Sequence, residues 1–140
     1  MCGIAGLFLP KGHRPLDADL DAMGRIMVHR GPDGDGRYVS SDGLYRGIFR
    51  RLAIIDLDGA DQPLIARGGP GVLFGNGEIY NYQELRHRFA DFPYTTDGDM
   101  EAVLAAHRAL GNDYVSALNG MYALALYDGT THSLDLVRDR

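Results

Sequence analysis

Short apolar runs, broken by glycine or followed by acidic clusters, alternate along this chain, and their spacing predicts a mixture of strands and helices. Cys2-Gly3-Ile4-Ala5-Gly6-Leu7-Phe8, ahead of Pro10, predicts a strand that begins at the first residues. Leu16, Leu20, Met23 and Met27 recur at helical spacing. Asp17, Asp19 and Asp21 crowd the front of that helix, where its dipole favours acids, and Gly31-Pro32 follows its end. Positions 48–56 and 72–74 predict strands, the second running into a turn-like Gly75-Asn76-Gly77. Positions 81–89 predict a short helix, with Asn81 as its cap, Glu84 three residues on, and Tyr82, Leu85 and Phe89 on one face. Positions 100–110 predict another helix closed by Gly111, and Asn112 or Asp113 can cap a further short helix through Leu118. Positions 121–127 are so continuously apolar that they predict a strand covered on both faces, which Asp128-Gly129 turns back into a last strand over 133–137. Strands and helices in this order predict an α+β domain with strands flanked by helical layers.

Composition narrows the classes. A chain of 140 residues with 45% hydrophobic residues can bury one core, and the absence of repeats, low-complexity tracts and long linkers predicts one domain over 1–140. With 14 basic against 19 acidic residues, the net charge of −5 leaves no basic surplus for nucleic acid or anionic lipid. No apolar run approaches the about 20 residues of a spanning helix, so no membrane is expected. The single cysteine excludes an internal disulfide, and without a leader-like start the cytoplasm is the expected compartment.

That cysteine stands directly after the initiator methionine. Removal of Met1 leaves a thiol and a free α-amine on one residue, and the amine, with a reference pKa of about 7.7–8.0, can activate its own side chain as nucleophile. Gly75-Asn76-Gly77-Glu78 follows a buried strand, and an Asn side-chain amide beside a glycine N–H suits an oxyanion. Arg51 beside a strand and Asp99 before a helix match the α-carboxylate and α-ammonium of a free amino acid. Each feature alone has a plainer reading: a small buried cysteine, a hairpin turn, a solvated surface charge.

Together, Met1-Cys2-Gly3-Ile4-Ala5-Gly6, His29-Arg30-Gly31-Pro32-Asp33-Gly34, Arg51-Leu52-Ala53-Ile54-Ile55-Asp56, Gln62-Pro63-Leu64, Asn76-Gly77-Glu78-Ile79-Tyr80-Asn81, Asp97-Gly98-Asp99-Met100-Glu101 and Asn119-Gly120-Met121-Tyr122-Ala123 resemble the glutaminase domain of asparagine synthetase-type class II glutamine amidotransferases. The resemblance implies a four-layer αββα N-terminal-nucleophile hydrolase fold, with antiparallel sheets between helical layers. It implies Cys2 as nucleophile with its amine as base, Asn76 and Gly77 as oxyanion hole, and Arg51 and Asp99 as ligands of glutamine. Glu78, Gly98 and the backbone of Ile54 and Ile55 would complete the pocket. Many members carry serine where Gly98 stands. The family's domain continues past Arg138-Asp139-Arg140 and then into a synthetase domain, so the chain is expected to be incomplete at its C-terminal end and to lack that domain. The implied partners are L-glutamine and a synthetase domain that receives ammonia; a homodimer is compatible with the sequence. No cofactor is expected in this domain, ATP and magnesium belonging to the synthetase domain, and no Gly-x-x-x-x-Gly-Lys loop is present. A catalytically silent regulatory module, as retention of Met1 would produce, and an amidotransferase serving another acceptor stay open as alternatives.

Other signals lead nowhere. Asp33-Gly34-Asp35-Gly36-Arg37 starts like a calcium loop but puts Arg37 at a ligand position, and His13, His29, His87, His107 and His132 lack ligand spacing, so no metal is expected. Tyr80 replaces the third glycine of a dinucleotide loop.

Overall fold

The computed structural model describes residues 2–10, 12–13, 17–52 and 61–140. Strand β1 (Gly3–Phe8) leads into helix α1 (Asp17–Ile26), followed by strands β2 (Gly34–Val39), β3 (Tyr45–Arg51), β4 (Leu64–Ile65) and β5 (Gly71–Ile79). Helices α2 (Tyr82–Arg88) and α3 (Glu101–Leu110) come next, then a 3-10 segment (Gly111–Ala117) and strands β6 (Gly120–Asp128) and β7 (Ser133–Arg138). Two antiparallel sheets form, one ordered β1-β3-β2 and the other β4-β5-β6-β7.

Alternation along each strand decides what each face meets. On β3, Tyr45 and Phe49 turn toward the second sheet and pack with Phe74, Ala125 and Tyr127. Phe49 stacks on Phe74 with centroids 6.3 Å apart, and Tyr45 stacks on Tyr127 at 5.2 Å. Each such buried side chain contributes about 1.5–3 kcal/mol of transfer energy, enough to hold the sheets face to face. On the outer face of the first sheet lies α1, where Arg50 Nε donates to the Gly24 carbonyl at 2.9 Å. On the outer face of the second, Leu73, Ile79, Leu124 and Leu126 pack against Val103, Ala106 and Tyr114. The expected αββα layering is the observed one.

Several elements depart from expectation. Strand β2 and the two-residue β4 are not foreseen, because Gly34-Asp35-Gly36-Arg37 is polar and glycine-rich; β2 is an edge strand that buries little. Gly75-Asn76-Gly77 is not a turn, since β5 runs straight through it in register with β6. Gly77 makes this possible: its φ is +135°, and a Cβ there would come within 2.0 Å of the Met121 carbonyl oxygen. Strand β3 begins at Tyr45, ahead of the predicted start. Asn81 does not cap α2 through its side chain. Its Nδ2 donates to the Ala117 carbonyl at 2.9 Å and its Oδ1 accepts the Asn119 N–H at 3.0 Å, so it ties the helix entry to the start of β6. Strand β6 is covered on both faces over positions 124–127, as expected, but not at its start, where Met121 remains 53% exposed. The predictions involving Met1, Leu16, Ile54, Ile55 and Asp56 lie outside the described residues.

Candidate active site

Cys2 sits at the head of β1, half-buried. Its thiol donates to the Leu52 carbonyl at 3.7 Å and its sulfur accepts the Leu52 N–H at 3.4 Å. Register explains this contact, since Gly3 pairs with Arg50 and the next positions outward are therefore Cys2 and Arg51. Arg30, in the 3-10 turn Val28–Arg30, donates Nη2 to the Cys2 carbonyl oxygen at 3.3 Å.

Asn76 follows Phe74 by two residues on β5 and so faces the first sheet. Among the described residues its side-chain amide has no hydrogen-bond partner. A cavity of about 400 Å³ opens where the two sheets meet the end of α1, lined by Cys2, Gly3, Ile4, Met27, His29, Arg30, Asn76 and Ala123. A thiol on one sheet and an unpartnered amide on the other thus face one volume, of a size that suits a small ligand.

Of the other predicted residues, Arg51, Gly98 and Asp99 lie near this end of the sandwich without lining the cavity, and Ile54 and Ile55 lie outside the described residues. Arg51 lies on the β3 face that carries Tyr45 and Phe49, opposite to the face of Arg50, and its Nη1 donates to exposed Asp61 at 3.3 Å. The Asp99 carboxylate accepts the Ile79 N–H at 2.6 Å, which anchors it to the end of β5 beyond Asn76, Gly77 and Glu78. Gly98 precedes it in a loop held by Arg86, whose Nη1 and Nη2 donate to the Gly98 and Thr96 carbonyls at 3.1 and 2.7 Å while the guanidinium lies 4.0 Å over the Tyr94 ring.

A family model described as a glutamine amidotransferase domain matches residues 1–140. This chain belongs to that family. The amidotransferase domain is 40% identical to a putative glutamine-hydrolysing asparagine synthetase of Mycobacterium tuberculosis and 37% identical to asparagine synthetase B of Escherichia coli, each over 99% of this chain. It covers 24% and 25% of those proteins, about a quarter of the length of these curated relatives. A solved glutamine phosphoribosylpyrophosphate amidotransferase of Bacillus subtilis, complexed with ADP and GMP, aligns with a TM-score of 0.62 at 16% identity, over 90% of this chain and 35% of that one. The amidotransferase domain thus has the N-terminal-nucleophile fold.

Sequence reasoning overlooked the residues that hold this site together. His29 and Arg30 line the cavity although the sequence assigns neither a role in the site. Glu101, 2% exposed, receives the N–H and hydroxyl of both Thr95 and Thr96 at 2.8–3.0 Å and so fixes the loop leading to Asp99. All three stand inside the quoted motifs, which was the available signal. Arg86 stands in none of them.

Proposed function

We propose that this domain hydrolyses L-glutamine to glutamate and ammonia, with Cys2 as nucleophile, as the ammonia source of an asparagine synthetase-type amidation. The observation that carries the reading is the shared cavity, in which the Cys2 thiol and the unpartnered Asn76 amide approach one volume from opposite sheets. Once Met1 is removed, the freed α-amine takes the thiol proton and the thiolate attacks the side-chain carbonyl carbon of glutamine. The oxyanion accepts hydrogen bonds from the Asn76 side chain and, by motif position, the Gly77 N–H. Each such donor contributes about 3–4 kcal/mol to the transition state in comparable sites. The ammonium returns its proton to the leaving nitrogen, ammonia departs, and water cleaves the thioester to release glutamate.

Arg51 and Asp99 hold the α-carboxylate and α-ammonium in this reading, with Glu78, Gly98 and the Ile54–Ile55 backbone completing the pocket. Arg51 must then share or exchange its Asp61 partner when substrate arrives. Asp61 is 91% exposed, so that exchange is cheap. The relatives named as asparagine synthetases support aspartate as the acceptor and a synthetase domain as the recipient of ammonia. ATP and magnesium are needed there, and the hydrolytic step uses only side chains and main chain of this domain. The test is glutamate release from glutamine by the wild-type chain and by Cys2→Ala: the reading expects release that the substitution abolishes with the fold intact, and undiminished release in the variant overturns it.

A further inference from the structure

We propose that Gln62 is a positioning residue that sets the spacing between the nucleophile on one sheet and the oxyanion donors on the other. The proposal rests on the reading that Cys2 and Asn76 act together on glutamine.

Leu64 and Ile65 pair with Leu73 and Val72, and extending that register by two residues places Gln62 opposite Gly75. The main chain does not continue the ladder there. Pro63 has no N–H to give, and the Gln62 carbonyl has swung onto β2, where a Cβ built on Gly36 would lie 1.6 Å from its oxygen. The Gln62 side chain stands in for the lost ladder. Its Nε2 donates to the Gly75 carbonyl at 2.8 Å, and its Oε1 accepts the Gly75 N–H at 2.6 Å. One primary amide thereby satisfies both main-chain groups of the residue immediately before Asn76-Gly77.

The same residue touches both sheets: its carbonyl abuts the sheet that carries Cys2, and its side chain is bonded to the strand that carries Asn76. The neighbouring inter-sheet contact, Phe49 on Phe74, is apolar and non-directional, and tolerates sliding. Gln62 is fixed on one side by two hydrogen bonds to Gly75 and on the other by the close approach of its carbonyl to Gly36 of β2. Oxyanion stabilisation depends on donor placement, and an error near 1 Å can cost about 100-fold in rate. None of the Gln62 hydrogen bonds reaches Arg51 or Asp99, so its effect belongs on turnover and not on substrate affinity.

Gln62→Met keeps the length and removes both bonds. Glutamate release should show kcat lowered roughly 10- to 100-fold with KM changed by less than about threefold. Alkylation of Cys2 by iodoacetamide, which forms the C–S bond with loss of iodide and passes through no oxyanion, should proceed at the wild-type rate. Wild-type kcat in Gln62→Met, a rise in KM as large as the fall in kcat, or an equal loss of iodoacetamide reactivity overturns the proposal. So does failure of both Gln62→Met and Gln62→Glu to fold, which would make Gln62 a residue of the fold alone. Cys2→Ala in the same assay separates the two levels: release that survives it overturns the underlying reading whatever Gln62 does.

Discussion

Asp99 accepts the Ile79 N–H through a single carboxylate oxygen, Oδ2, at 2.6 Å. One oxygen is thereby spent on holding the side chain at the end of β5, and the charge remains for a cation. Asp99→Asn keeps an acceptor for the Ile79 N–H while deleting the charge. Its KM for glutamine should rise about tenfold or more with little change in thermal stability, as befits a lost charge-assisted hydrogen bond of roughly 1.5–3 kcal/mol. Steady-state kinetics beside a melting curve checks this, and an unchanged KM would remove Asp99 from the pocket.

Gly98 is open to substitution. A Cβ there would meet nothing closer than Thr96 Oγ1 at 3.6 Å, an ordinary contact, and its φ is not in the left-handed region. Gly98→Ser should fold without strain and gain about 0.4–1 kcal/mol by restricting the unfolded chain. In the proposed glutamine pocket the added hydroxyl supplies a further polar contact, and KM for glutamine should fall. Chemical denaturation and kinetics on the one variant separate the two effects.

Glu101 is buried with its carboxylate surrounded by donors only. Glu101→Gln presents an NH2 group to that cage and leaves at least one buried donor unmatched, at a cost of about 1–3 kcal/mol. The melting temperature should fall, and because the cage fixes residues 95 and 96 ahead of Asp99, KM for glutamine should rise with it. Arg86→Met, which frees the Gly98 and Thr96 carbonyls, should raise KM in the same direction.

At the far end of the sandwich Asp42 joins the sheets. It accepts the Ser40 hydroxyl at 2.5 Å, the Leu44 N–H at 3.0 Å, the Tyr127 hydroxyl at 2.6 Å and His132 Nδ1 at 2.5 Å. Burial works to raise its pKa, but the hydrogen bonds from Ser40, Tyr127, Leu44 and His132 outweigh it and hold the carboxyl well below the usual range. Burial, together with the hydrogen bond to Asp42, pushes the Tyr127 hydroxyl up to about 12, so it stays a donor. A depressed carboxyl stabilises the fold fully above its unfolded value, near 3.9, and progressively less as pH falls through the folded value. Urea denaturation should therefore find Asp42→Ala less stable than wild type by about 1.5–3 kcal/mol at pH 7, with the difference shrinking below about pH 4.

Much of this architecture is legible from spacing. Leu20 and Met23 mark α1 by their helical spacing, and the unbroken apolar run from Met121 to Tyr127 marks β6. What escapes notice follows from main-chain contacts. Strand β5 passes through Gly75-Asn76-Gly77 because the backbone of β6 lies too close for a side chain at Gly77, and a glycine pair reads equally well as a turn. Strand β2 buries almost nothing, so it leaves no apolar alternation. At the site, Cys2 and Asn76 stand out by chemical type, whereas Gln62, Arg86 and Glu101 act by binding backbone carbonyls and amides, a role with no periodicity and no spacing. Asn81 shows the same limit, since its position before α2 reads as a cap while its side chain serves residues 117 and 119.

The central claim, that Cys2 is a processed N-terminal nucleophile in an assembled glutamine site, is tested most directly by intact mass before and after exposure to an electrophilic glutamine analogue. The account predicts a chain lacking Met1 that gains one adduct, mapped to Cys2 and blocked by excess glutamine. A chain that retains Met1, or one that loses it yet takes no adduct at Cys2, would contradict the claim.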